Sequence, residues 1–230
     1  MEKLLKEYSD LEKGAYLGAI SSIATADHAA SDEEMEYIMA LAESAGLSEE
    51  QRRAVSQAAT ELTGQELKKC LDILKTSDLK FSLVTDLISF AEADKKYSDE
   101  EKANIEKIAH YLGIDQQQFS LLDQFVKKTA EVNPGVEEVS HPSFLSKLGL
   151  DDKLKKSGIN INSLTKGLLS IAGPMILANL MRGRQSRGIS SSLNPFSTGG
   201  GGGLGSIISM LSGGRGFSRT GNMFNRVFGL

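Results

Sequence analysis

Between about residues 10 and 130, apolar residues return every three or four positions, as at Ile38, Leu41, Ala42 and Ala45 and again at Ile105, Ile108, Ala109 and Leu112. That spacing lines one face of an α-helix. The segments are short, and many open on Ser, Thr or Asp with Glu or Gln three residues later: Ser31 with Glu34, Ser48 with Gln51, Thr63 with Glu66, Ser98 with Glu101, and Asp115 with Gln118. Such pairs satisfy the free amides of a helix start reciprocally. Gly46 and Gly113 stand where a helix closes on a left-handed residue. The pattern predicts an all-α fold, a compact bundle of about seven helices.

The same stretch repeats itself. ATADHAASDEEMEYIMALAESAG from Ala24 and AEADKKYSDEEKANIEKIAHYLG from Ala91 are identical at ten of 23 positions, among them Asp27 and Asp94, Ser31 and Ser98, Glu34 and Glu101, Ile38 and Ile105, and Gly46 and Gly113. Two equivalent helix–turn–helix units pack most economically about a pseudo-two-fold axis, each covering an apolar face that the other cannot bury alone.

After Pro134 the character changes. VNPGVEEVSHPSF carries two prolines and reads as a linker, with one short helix in SFLSKLGLDDKLKKSG. From Ser163 an apolar segment leads into RGRQSRGISSSLNPFSTGGGGG, whose glycine and serine content favours a flexible chain. The predicted division is a helical domain at 1–132, a linker at 133–162 and a largely flexible Gly-rich tail at 163–230.

Charge sharpens that division. Asp152 is the last acid; residues 153–230 hold ten Lys and Arg, and residues 1–152 hold sixteen basic against thirty acidic residues, a net of −14. A tail of one sign on a domain of the other points to anionic surfaces, to nucleic acid, or to the acidic domain itself. The N-terminus has no basic start followed by an apolar run, and the longest apolar stretch, Gly167 to Met181, falls short of the about 20 residues that span a bilayer. The expected location is the cytoplasm, with peripheral attachment at the inner membrane.

Candidate chemistry is sparse. The lone cysteine, Cys70, sits at an apolar helix position in LKKCLDIL and reads as an inert buried thiol. No G-x-S-x-G occurs, and the glycines at 199–203 lack the lysine of a phosphate-binding loop. What remains is the repeated turn, where Asp27 with Glu34 and Asp94 with Glu101 approach across a short connection. Two readings stand. Helix capping accounts for the serines and glutamates; Asp27 and Asp94, at the unfavourable end of a helix dipole, call for the next helix's free amides or for a cation. Twelve residues from either Asp the chain has Ile38 or Ile105 where an EF-hand needs glutamate, so that loop is excluded. Oxygen ligands of this kind suit calcium, magnesium or manganese ahead of zinc. His28 is matched by Lys95 and shares no repeated ligand role, and His110 and His141 form no cluster.

The element A-D-x-x-x-S-x-x-E, with an isoleucine four residues on and a closing Gly, resembles the TerB family and the related N-terminal domain of DjlA-type co-chaperones over roughly residues 10–130. The chain has His28 and Lys95 where that family frequently has Gly. The resemblance implies a pseudo-symmetric helical bundle with an acidic metal-binding surface, onto which Asp27, Glu34, Asp94 and Glu101 map. It further implies association with stress-response or membrane-linked complexes rather than catalysis. The tail, with SLTKGLLSIAGPMILANLM and GGGGGLGSIISMLSGG, is similar to the ending of YidB-like bacterial proteins, which points to bacteria and to self-association. The expectation is a non-enzymatic scaffold or cation sensor whose tail meets a protein partner, a second copy or an anionic membrane surface. Small-molecule substrates and nucleic acid are not favoured; the alternatives are a metal-dependent hydrolase near the membrane and a nucleic-acid-associated protein acting through the Arg-Gly tail.

Overall fold

The computed structural model describes residues 5–24, 30, 32–60, 64–93, 99–132 and 142–169. Among them are ten helices: α1 Asp10–Ala24, α2 Asp32–Ser44, α3 Glu49–Thr60, α4 Gln65–Leu74, α5 Leu79–Ala93, α6 Asp99–Tyr111, α7 Gln116–Val132, α8 Pro142–Leu148, α9 Asp151–Lys156 and α10 Ile161–Gly167. No strand occurs among the described residues.

The internal repeat is written into the helix boundaries. α2 and α6 begin 67 residues apart, at Asp32 and Asp99, and so do α3 and α7, at Glu49 and Gln116. The central helix of each half, α1 or α5, is apolar nearly all round, which is how a helix enclosed by others reads. Tyr16, Leu17, Ala19, Ile20 and Ile23 of α1 and Leu83, Val84, Leu87, Ile88 and Phe90 of α5 lie in one continuous core. α2, α3 and α4 pack on α1, α6 and α7 pack on α5, and α1 meets α5. Small residues let the packing close. A Cβ at Gly18 would lie 2.8 Å from Cys70 Sγ, so α4 packs closely there, and at Gly14 the end of the Gln51 side chain of α3 fills the space that a Cβ would take, 2.1 Å from Oε1.

The predicted C-caps are both present. Gly46 (φ 67°) and Gly113 (φ 75°) adopt the left-handed region, and the following amides, Leu47 N and Ile114 N, reach back to Ala42 O and Ala109 O at 3.1 and 2.9 Å. The N-caps are less regular. Asp115 and Gln118 form the full reciprocal pair, at 3.0 and 2.8 Å. Ser48 Oγ accepts from Gln51 N at 3.3 Å, but the Ser48 amide goes to Asp10 Oδ2, and the Gln51 side chain packs over Gly14 instead of returning to the cap. α4 starts from Gly64 (φ 79°), one residue after the predicted Thr63, with no side-chain cap. Ser31, Thr63 and Ser98 lie outside the described residues.

Residues 142–169 depart from the expected linker with one short helix. Phe144, Leu148, Leu150, Leu154, Ile159, Leu164, Leu168 and Leu169 all belong to the same core cluster as α1–α7. Lys128 Nζ donates to Leu148 O at 2.7 Å and Gln118 Nε2 to Ser157 O at 2.8 Å, tying α8 and α9 to α7. Each of these helices is under two turns long and cannot persist unpacked; they are held because their few leucines complete a neighbour's apolar face. Residues 170–230, most of the predicted flexible tail, lie outside the described residues.

Candidate functional site

The sequence singles out the connections from α1 to α2 and from α5 to α6. Asp27 and Asp94 lie outside the described residues, as does the side chain of Glu101. Of the four candidate ligands, Glu34 alone has a described side chain, and it is buried, 3% exposed, in the first turn of α2. Its neighbours Asp32 and Glu36 are exposed. Glu34 is thus drawn inward at the helix head while Asp32 and Glu36 face solvent. The first connection is held by Ala30 N, which donates to Ala59 O at 3.4 Å at the end of α3.

One turn further along, the two halves share another feature. Tyr37 in α2 and Asn104 in α6 occupy equivalent positions of the repeat and are 0% and 6% exposed, and among the described residues neither the Tyr37 hydroxyl nor Asn104 Nδ2 has a hydrogen-bond partner. Buried polar atoms are satisfied in nearly all native structures. Burial and the nearby Asp86 carboxylate raise the Tyr37 phenol above its ordinary range. The halves differ at the end of α5, where Lys127 of α7 lies 2.9 Å from Asp123 and 4.0 Å from Glu92.

As donors, two aspartates and two glutamates are hard oxygen ligands and fit calcium, magnesium or manganese. Among the described residues no group of three or more His, Cys, Asp or Glu is placed to hold a metal. His110 is exposed at the end of α6; His28 and His141 are outside the described residues. Cys70 packs beneath Gly18, and burial pushes its thiol up to about 12, in keeping with the inert role expected of it.

The sequence reading missed an interior carboxylate. Asp86 of α5 is fully buried and accepts from the Tyr16 hydroxyl of α1 and from the Leu169 amide, the latter at 2.7 Å. Burial, and then the carboxylate, push the Tyr16 phenol well above its usual range, so it stays a donor. The signal was present in LKFSLVTDLISFAEA, an otherwise apolar helix with an acid in mid-sequence. At the surface, Asp72 of α4 accepts from the Tyr111 hydroxyl of α6 at 2.5 Å and pairs with Lys68, contacts that hold its carboxyl below the usual range, while Lys75 lies 3.6 Å from the Tyr111 ring centre. An open groove of about 630 Å³ runs between α8, α9 and α10 past Asp151, Lys155 and Asn160. Its polar groups serve local structure: Asp151 accepts from Ser146 Oγ, and Asn160 Oδ1 caps α10.

No helix among the described residues is long and apolar enough to cross a membrane. No curated protein and no solved structure matches the chain. A family model does: residues 13–124, from the first turn of α1 into α7, match the family described as tellurite resistance protein TerB. The doubled helix–turn–helix and the acidic helix heads fall within that match, and over residues 13–124 this protein is similar to the TerB family.

Proposed function

We propose that this protein is a non-enzymatic binding module whose α2 and α6 heads take up a divalent cation through Asp27, Glu34, Asp94 and Glu101, and whose basic C-terminal segment holds it to an anionic surface. The observation that carries the reading is the duplication of an acidic helix start in a TerB-like segment, with Glu34 turned into the protein at the first of the two. Glu34 is buried at the start of α2, a few residues after Asp27 in the sequence, and an acidic side chain drawn out of water there supports a cation-binding role for the repeated element. Oxygen donors favour calcium, magnesium or manganese. Beyond residue 169 the chain carries Arg182, Arg184, Arg187, Arg215, Arg219 and Arg226 and no acid, with Phe196, Phe217, Phe224 and Phe228 between them. That composition suits an acidic protein partner, a second copy or an anionic membrane face. Cation uptake at the acidic turns would then alter what the module presents to its partner, as expected of a component of a stress-response or membrane-linked complex.

The test is calorimetric titration of the full chain with calcium, magnesium, manganese and zinc, repeated on the double variant Asp27→Asn, Asp94→Asn. Saturable heat with at least one of the first three metals, abolished in the variant, is expected. Absence of saturable heat up to about 1 mM metal, the weak end of protein calcium sites, overturns the cation reading.

A further inference from the structure

α10 lies outside the TerB match, which ends at residue 124. Its principal packing partners are α5 and α9. It has seven residues, too few to be stable alone, and is started by the Asn160 side chain accepting from Asn162 N and Ser163 N at 3.1 and 3.3 Å. Leu164 and Gly167 face inward, and Ser82 Oγ of α5 donates to Leu164 O at 3.2 Å. Gly167 lies directly against Ser82: a Cβ there would be 2.2 Å from Ser82 Oγ, 2.8 Å from its Cβ and 3.1 Å from Leu79 Cδ2. The helix then ends at Leu168 with extended backbone (φ −72°, ψ 115°), and the next amide, Leu169 N, meets Asp86. Toward solvent the contacts are polar, Tyr8 Oη to Ser163 O at 3.2 Å and Lys166 with Glu7.

We infer that α10 with Leu168 and Leu169 is a strap that closes over the buried Asp86 and opens as a unit of its own, leaving the α1–α7 bundle folded. Three features support this. The seam is keyed by one glycine–serine contact and by two hydrogen bonds between α5 side chains and the strap's backbone, so it has a single register. The carboxylate beneath it is costly to bury, and lifting the strap returns Asp86 to water, which lowers the free energy of local opening compared with an all-apolar seam. Tyr16 holds Asp86 from the α1 side in either state, so the bundle keeps its own contact when the strap leaves. Because residue 170 follows directly, the strap is the joint through which anything bound to the arginine-bearing segment reaches the α1–α5 interface.

Hydrogen exchange on the full chain tests this. In the unmodified protein, amides 164–169 should exchange faster than the core amides of α1 and α5. In Gly167→Ala, amides 164–169 should exchange at least about tenfold faster than before, with those of α2, α3, α6 and α7 unchanged. Ser82→Ala, which removes the hydrogen bond from Ser82 Oγ to Leu164 O and adds no bulk at Gly167, should likewise speed exchange at 164–169 and leave α2, α3, α6 and α7 unchanged. Loss of protection spreading through α2, α3, α6 and α7 would make α10 part of one cooperative unit and overturn the inference. Unchanged exchange at 164–169 in both variants would remove the glycine–serine key on which it rests.

Discussion

Asp86→Ala is expected to destabilise the protein by about 2–4 kcal/mol, because it strips a partner from two buried donors and leaves a void. The Tyr16 hydroxyl, on a fully buried side chain, and the Leu169 amide both end on the same carboxylate oxygen. Removing an acceptor from a buried donor costs the desolvation of that donor, about 1–3 kcal/mol each, and here α1, α5 and the strap all lose their common point. Asp86→Asn keeps an oxygen for both donors and should cost roughly half as much. Urea unfolding followed by far-ultraviolet circular dichroism reads the difference. Equal midpoints for the wild type and Asp86→Ala would mean that the carboxylate contributes nothing to the fold.

The second large effect belongs to Phe144. Its ring is 0% exposed although it sits in a helix of seven residues that follows the TerB match. Phe144→Ala should cost about 3–5 kcal/mol, the usual range for emptying a fully buried aromatic site. The loss should appear as a lower midpoint of the single main unfolding transition, because α8 packs on α7, whose Phe119, Leu121, Leu122, Phe125 and Val126 are themselves core residues. A change below about 0.5 kcal/mol, typical of surface substitutions, would place α8 outside the cooperative fold.

The same two residues mark where sequence reading succeeds and fails. Periodicity and the 67-residue repeat located α2 and α6, because each is over three turns long and its apolar stripe recurs at a fixed offset, and the spacings of Ser48 from Gln51 and of Asp115 from Gln118 marked the starts of α3 and α7. Gly46 and Gly113 were legible for a local reason: a left-handed residue after the last turn is a property of the backbone at that point. Phe144, Leu150 and Leu154 were not legible as core, since a helix under two turns shows no measurable period and its burial depends on what α7 presents. Asp86 was visible as an acid in an apolar helix, but its partners, Tyr16 and Leu169, are 70 and 83 positions away. Gln51 shows the competition directly. Its spacing from Ser48 fits a capping pair, and the close approach of α3 to Gly14 takes the side chain instead. At the candidate site the sequence supplied four acids and their symmetry; Glu34's burial is what the fold adds.

Cation uptake at the repeated turns is tested most directly by adding manganese to the isotopically labelled full chain and following paramagnetic broadening of its amide resonances. At substoichiometric metal, Ala30 and the first turns of α2 and α6, Asp32–Met35 and Asp99–Lys102, should broaden before all others, and Asp27→Asn with Asp94→Asn should abolish the effect. Broadening that instead follows the exposed acids elsewhere, such as Glu49, Glu50, Asp72 and Asp78, would contradict a site at the helix heads and leave those acids as caps.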